Sequence, residues 1–511
     1  MEVPKGFGTV QALKKRFSSA EAIWLQWRSL HQECYDYSAP QRDTITRYAP
    51  GQRKNVHVFD STAINGLAEF SSILQSTMVP PWREWTKLAP GSEVPEGDKE
   101  EVGRLLEDNT KVAFSHLNHS NFNTEVSATF LDVGIGTGAI HVMEAPFTDD
   151  VALQFANVPL AELFPEMPPP GKPIISSWRN FRMQIRNIRE TWPEAELPDK
   201  LEKKANDPKK SFEEVDILIG YLFNEEDRKY YDLVIWDKYL MWHQSFVSKR
   251  LIVSRWNVVP GEVFGRGPVM EVLSDIRTAN KAKEFILENA ALQMSGVYTG
   301  VSNGVFNPYT VRIHPGSIIP VASNQTNNPD LAPLPLSGNI QLGDLVLSDL
   351  QANIRRALLS QPLGELTDPV RSATEMMIRN QEALRNRGAQ IGRLRTEFQE
   401  PLFEAVVDIL RERGKVADIR VDGQEVTMKF QSPLAQAESI EDFQSSQIWL
   451  QSLAAVMPQE VLAGAIKIED LPGFWAEKLG VDMSLVRGEA ERNSLAKTVQ
   501  EAAETGLEGG L

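Results

Sequence analysis

Apolar residues recur at helical spacing from the start of the chain. Leu13, Phe17, Ile23, Trp24, Trp27 and Leu30 predict a first helix, with Ser18 and Ser19 as candidate cap residues. A second helix is predicted to open at Asp60-Ser61-Thr62 and to run through Ile64, Leu67, Phe70, Ile73 and Leu74. It must stop at Pro80-Pro81, because proline has no amide hydrogen and its ring clashes with the preceding turn. Residues 97–120 form a third helical stretch whose apolar side carries Val102, Leu105, Leu106 and Val112. A further apolar segment runs from Val126 to Met143.

The pattern changes near residue 145. Short β-branched and apolar runs are broken by prolines: Val151 to Val158, Ile174 to Trp178, Val215 to Phe223, Leu233 to Trp236 and Phe246 to Trp256. These read as strands of an antiparallel sheet. Phe181 to Trp192 reads as a helix, and the stretch Asp199 to Lys210 as a polar interruption. Residues 145–260 are therefore expected to be a mixed α+β region.

Gly265-Arg266-Gly267-Pro268 marks the next change, with Pro268 placed to start a helix. Good helix formers then run from Val269 to Met294, about 25 residues or roughly 38 Å. Residues 295–340 are rich in Gly, Pro and Asn, and their only charges are Arg312 and Asp330. A second helix is predicted over Leu342–Leu359, then a loop, Ser360 to Arg371, holding Pro362, Gly364 and Pro369. Met377, Leu384, Ile391 and Phe398, seven apart, predict a long helix over Ser372–Arg413, kinked or broken at Pro401. Asp422-Gly423 predicts a hairpin between Ile419–Val421 and Val426–Phe430. The tail from Gln436 reads as helical and frayed after Glu501. There is no internal repeat and no low-complexity tract.

Composition narrows the function classes. A chain of 511 residues holds about three domains or one elaborate subunit. One cysteine, Cys34, excludes a disulfide scaffold and a four-cysteine zinc module. The opening MEVPKGFG lacks an apolar core, so no secretory signal is expected, and no apolar run reaches membrane-spanning length. The net charge of −16 argues against a protein that coats DNA, where basic side chains supply the affinity.

The candidate chemistry is sparse. Leu131-Asp132-Val133-Gly134-Ile135-Gly136-Thr137-Gly138 resembles the first motif of S-adenosylmethionine methyltransferases, with Asp149 or Asp150 near the ribose-binding distance. Its flank, Asn123 to Phe130, reads as helix, and no βα alternation follows, so close-packed glycines are the better reading. Gly171-Lys172 and Gly414-Lys415 do not complete a P-loop. His116 and His119 could share a helix face but lack a third ligand, so no metal site is expected. Cys34 reads as buried, Glu225-Glu226-Asp227 as a solvated turn, and there is no G-x-S-x-G elbow. Pro80-Pro81-Trp82-Arg83-Glu84-Trp85 is either a base-stacking platform or, more simply, a packed connection. Arg371, Arg379, Arg385, Arg387, Arg393 and Arg395 are dense for an acidic chain and read as phosphate contacts, or as exposed helix charge or ion pairing to a neighbouring subunit. No cofactor and no catalytic residue are expected.

The layout itself is the informative feature: two helices bracket a nearly uncharged irregular segment, and a proline-bounded loop and long helix follow. The blocks Val58-Phe59-Asp60-Ser61-Thr62-Ala63 through Pro80-Pro81, Phe264-Gly265-Arg266-Gly267-Pro268, and Ser372-Ala373-Thr374-Glu375-Met376 to Arg379-Asn380 stand in this order. Gly392-Arg393-Leu394 and Ser432-Pro433-Leu434-Ala435 extend the series. Over roughly residues 10–440 the sequence resembles the portal, or head-to-tail connector, proteins of podovirus-like tailed bacteriophages.

That resemblance implies an α+β, mainly helical fold with wing, stem, clip and crown, assembled as a ring of about twelve subunits, a dodecamer, around an axial channel. On it, residues 1–260 are the wing, 261–294 the first stem helix, 295–341 the clip and 342–359 the second stem helix. Residues 360–371 are the channel loop, 372–435 a long helix and hairpin returning to the wing, and 436–511 a helical crown. The implied role is a conduit for double-stranded DNA at the capsid vertex of the virion, assembled in the host cytoplasm. The implied partners are further copies, the terminase large subunit, tail adaptor or head-completion proteins, and the major capsid and scaffolding proteins, with no membrane. Arg355, Arg356, Gln361 and Arg371 are the DNA-channel candidates, and Asn307, Tyr309, Arg312 and His314 the clip docking candidates. The segment's low charge and many turn formers suit a clip that intertwines with neighbours. A conduit must also avoid gripping its cargo, which turns the acidic balance from an objection into an expectation.

Overall fold

The computed structural model describes residues 1–46, 51–54, 58–90, 99–146, 151–295, 298–300, 331–333, 340–360, 387–416, 426–430, 443, 445–453, 455 and 471–479. Along the chain, α1 (Val10–Ser38) and α2 (Thr62–Met78) precede β1 (Thr86–Pro90), α3 (Lys99–His119) and α4 (Phe122–Ile135). Then come β2 (Thr137–Glu144), β3 (Leu153–Asn157), β4 (Leu163–Pro165), β5 (Ser177–Gln184), α5 (Ile185–Thr191) and α6 (Asp199–Ala205). The strands β6 (Glu214–Asn224), β7 (Lys229–Trp236), β8 (Tyr239–Phe246) and β9 (Leu251–Arg255) follow. Next are α7 (Pro268–Glu271), α8 (Leu273–Ser295), β10 (Tyr298–Gly300), β11 (Leu331–Pro333) and α9 (Ile340–Ala357). Last come α10 (Gly388–Leu394), α11 (Glu400–Glu412), β12 (Val426–Phe430) and a helix over Leu471–Leu479. The mixture of helix and strand is that of an α+β protein.

The chain divides into two units. The first comprises Met1–Gln75, His119–Met376 and Gly388–Ile409. Its centre is a five-stranded antiparallel sheet of order β4-β5-β6-β7-β8 and a three-stranded one of order β3-β2-β9. The two sheets meet where His141 of β2 packs edge-on against Tyr221 of β6, ring centres 4.9 Å apart. Helix α4 packs on β2 and β3, which explains why Val126, Phe130 and Val133 are fully buried. Helix α1 closes on β4 through Phe17, which meets Phe164 and Trp178 edge-on, and through Trp24, whose indole donates to the Leu160 carbonyl at 2.8 Å.

The second unit comprises Ser76–Asn118, Met377–Arg387 and Leu410–Leu511. In it β1 pairs antiparallel with β12, and Trp85 is buried edge-on against Phe114. Trp82 is 75% exposed, so the two tryptophans of that segment part company.

Several expectations are corrected. Ser18 and Ser19 lie inside α1 and donate back to the Lys15 carbonyl; the cap is Thr9, whose hydroxyl accepts from the Ala12 amide. Val126 to Met143 divides into α4 and β2, and Phe181–Gln184 belongs to β5 because it pairs along its length with β6. Phe246 to Trp256 is not one strand: Phe246 ends β8, Val247-Ser248-Lys249-Arg250 form a bend, and β9 runs from Leu251. The helix expected from Val269 is interrupted at Val272, between α7 and α8. Pro401 does not break its helix: a π turn over Arg395–Gln399 precedes it, and the Glu400 amide reaches back to the Arg395 carbonyl. The widened turn accommodates a residue that cannot donate to the ladder. The described partner of Val426–Phe430 is Thr86–Pro90, while Ile419–Val421, Asp422 and Gly423 lie outside the described residues.

Candidate functional site: the root of the helical hairpin

Helices α8 and α9 pack antiparallel, and their root is held by the chain just before α2. Asn280 of α8 turns its side-chain oxygen to the chain just before α2, accepting from the amides of Phe59 at 2.7 Å and Asp60 at 3.1 Å. The Asp60 carboxylate accepts from Gln351 of α9 at 2.8 Å and from Thr62 at 3.1 Å. One short segment thus binds both helices. Gly66 of α2 leaves room for Leu358: a Cβ there would lie 2.8 Å from the leucine methyl. Ile276, Ala279, Leu347, Ile354 and Leu358 are buried apolar residues of the pair.

The second block, residues 264–268, is explained residue by residue. Phe264 is fully buried against α1, edge-on to His31 at 5.0 Å and beside Trp27. Gly265 donates to the Thr137 hydroxyl at 2.8 Å. Arg266 forms two bonds to Glu262, at 2.7 and 2.8 Å, and lies over the Trp27 ring. The Gly267 amide donates to the Ile135 carbonyl at 2.9 Å, and Pro268 opens α7. The glycines are required by proximity. A Cβ on Gly136 would sit 2.1 Å from the Gly265 oxygen, and one on Gly267 would sit 2.3 Å from the Gly134 oxygen. The Trp256 amide reaches the Gly136 carbonyl at 3.0 Å, completing the junction.

This settles the structural role of the Gly134–Gly138 run. It leads from a helix into an antiparallel strand, the reverse of a strand–turn–helix cradle. Gly265 and Gly267 pack directly against its backbone.

Buried charges brace the junction. Arg255, next to Trp256, is clamped by Glu397 of the π turn through its amide at 3.0 Å and its guanidinium at 2.6 and 3.1 Å. Arg250 reaches the Ala405 carbonyl at 3.1 Å, and Ser248 donates to Asp408 at 2.7 Å. Tyr35 of α1, and Arg42 in the turn just after it, donate to the Asp132 carboxylate of α4 at 2.8 and 2.9 Å. Burial raises the Asp132 carboxyl above the ordinary range against the pull of Arg42. Cys34 is buried, and burial together with Glu33 pushes its thiol up to about 12, as expected of a structural rather than a nucleophilic cysteine. Glu225, Glu226 and Asp227 form an exposed turn between β6 and β7.

Of the expected site residues, Arg355 and Arg356 are exposed in the last turn of α9, where they also complement the helix dipole. Gln361, Arg371, Asn307, Tyr309, Arg312 and His314 lie outside the described residues, as do the loop from residue 361 and most of 295–341. Arg393 reaches the Trp256 carbonyl at 3.5 Å, and Arg395 stands 3.5 Å from Glu400. Sequence reasoning missed Asn280, Gln351, Arg255 and Glu397. For Arg255 there was a signal, a charge inside the apolar run Leu251–Trp256, which demands a buried partner. Among the described residues no three His, Cys, Asp or Glu form a group able to hold a metal, and no helix is long and apolar enough to cross a membrane.

Residues 10–486 match the model of the bacteriophage head to tail connecting protein. The chain belongs to that family. Over 500 residues it is also 20% identical to a "Probable portal protein" of Bordetella phage BPP-1, covering 90% of this chain and 85% of the relative. The portal resemblance read from the motif blocks is therefore borne out; among the described residues, block 58–63 binds α8 and α9 and block 264–268 leads into them.

Proposed function

We propose that this portal-family chain assembles into a closed ring of about twelve copies at the capsid vertex and conducts double-stranded DNA during packaging and ejection. The observation that carries the reading is the family match over residues 10–486. The rooted hairpin supports it, because a channel under load needs helices fixed to a rigid base. In this reading α8 and α9 are the stem, 295–341 the clip, 360–371 the channel loop and 436–511 the crown, with the wing before residue 260. Arg355, Arg356, Gln361 and Arg371 face the DNA. Asn307, Tyr309, Arg312 and His314 help dock the terminase large subunit, and later the tail adaptor or head-completion proteins. The major capsid and scaffolding proteins surround the ring in the virion. No catalytic step and no cofactor are assigned to the chain: an ATP-driven motor is a separate protein.

The electrostatics suit a conduit. Each phosphate neutralised by a cation adds affinity, and tight binding would stall sliding. A chain of net charge −16 with few basic wall positions repels the duplex from most of its surface. Light scattering and negative-stain images of the purified chain test the reading. Closed rings with a central hole are expected; monomers alone at high concentration overturn it.

A further inference from the structure

The hairpin leaves two faces uncovered, one on each helix, and they differ in character. Along α8, Arg277, Thr278, Lys281 and Phe285 recur at helical spacing and, with Tyr37, line an open groove of about 600 Å³. Phe285 is 56% exposed. Lys281 bonds Glu284 at 2.7 Å and lies over the Phe285 ring. Along α9 the outward positions are Leu345, Asp349 and Ala352, with Leu345 67% exposed and Val346 beside it. Asp349 is exposed and has no ion-pair partner among the described residues. One face is aromatic and basic, the other aliphatic and acidic.

The two helices also hold a definite register. A Cβ on Gly343 would lie 3.5 Å from Ile286, and Asp60 bridges Asn280 and Gln351. To within one residue, Phe285 is therefore level with Leu345, Lys281 with Asp349 and Thr278 with Ala352. Rotation about a ring axis does not shift height. If the hairpin stands along that axis, residues level in one copy meet residues level in the next.

We propose that these faces are the two halves of one heterologous contact between copies of this chain. Lys281 and Phe285 of one copy seat against Asp349 and Leu345 of the next. Charge complementarity favours this occupant over a two-fold dimer: only the heterologous pairing brings the cationic Lys281 to the exposed Asp349 carboxylate, whereas the α8 face set against itself offers Asp349 nothing. Arg277 is already held by Glu33 at 3.1 Å, so it does not oppose Arg355 and Arg356 with a free charge. The inference rests on the ring reading and adds which surfaces close the ring.

Paired cysteines test it. The only natural cysteine, Cys34, is buried. A Thr278→Cys/Ala352→Cys double variant oxidised with copper phenanthroline should give a ladder of covalent multimers on a non-reducing gel. Either single variant should give none, because each cysteine then faces a residue that is not cysteine. Covalent dimers from a single variant mean a two-fold contact and overturn the proposal. Lys281→Asp or Asp349→Lys alone should raise the concentration at which rings half-dissociate by ~10-fold, and the double swap should restore it. Rings that form normally without a ladder and ignore the swaps overturn the proposed faces and leave the ring reading standing. A wild-type chain that never leaves the monomer overturns both.

Discussion

At the residue scale, the tightest constraint is the approach of Gly136 to Gly265, where backbone meets backbone with no room for a methyl group. Gly136→Ala should destabilise the first unit by about 3 kcal/mol or more, since nothing flexible can yield. Gly392→Ala is the matched control, because Gly392 lies in α10 with nothing within 4 Å of its added Cβ. It should gain about 0.5–1 kcal/mol through helix propensity and a restricted unfolded chain. Urea unfolding midpoints read both. His31 supplies a second test. It is buried against Trp27 and Phe264, neither ring nitrogen has a hydrogen-bond partner among the described residues, and burial lowers its pKa to about 4. A depressed histidine value means that the unfolded chain binds the proton more readily. Stability is then full above the ordinary 6.5 and falls as pH drops towards 4. His141, lowered to about 3 by burial, acts in the same sense, while Asp232 beside it, raised to about 7 by burial, acts in the opposite one. The readout is therefore a difference: wild type should lose about 2 kcal/mol more than His31→Leu between pH 6.5 and 5. Equal slopes would show that His31 does not titrate in the unfolding reaction.

At the element scale, the hairpin α8–α9 is joined to the segment before α2 by very few polar groups. Asn280→Ala leaves two amides without their acceptor and should cost about 2 kcal/mol, with faster hydrogen exchange at Phe59 and Asp60. Asn280→Asp keeps an acceptor and should retain most of the protection. Unchanged exchange in the alanine variant would show that packing alone roots the pair. The elements that were legible in sequence are those whose apolar period is long: α1, α2, α3, α8, α9 and the strands β6 and β7. The failures have local causes. Two serines can mimic a cap while bonding within a helix, as Ser18 and Ser19 do. Apolar runs hide a change of period, so Val126 to Met143 conceals the passage from helix to strand at Gly136. A proline can be absorbed by a π turn, as at Pro401, when a buried contact such as Arg255–Glu397 holds the widened turn. Asn280, Gln351 and Glu397 could not be found, because their partners are more than 140 residues away in sequence.

At the scale of the whole molecule, the sequence blocks carried the family before any contact was known, and the structure explains why they could. Residues 58–63 and 264–268 are held in place through the amides of Phe59, Asp60 and Gly265, the side chains of Asp60, Thr62 and Arg266, and close backbone packing at Gly265 and Gly267. The surface positions proposed to meet DNA, terminase or neighbours carry no such internal constraint, and Arg355 and Arg356 show it: both are exposed and helix-compatible for ordinary reasons. The acidic balance likewise acquires meaning only in an assembly, where each copy's field adds to the next around an axis. The central claim is that α8 and α9 of many copies surround that axis. An averaged cryo-electron microscopy map of the purified chain tests it most directly. The account predicts a closed ring whose central channel is encircled by paired helices 273–295 and 340–357 from every copy. A ring with those helices turned to its outer rim, or a particle without a channel, would contradict it.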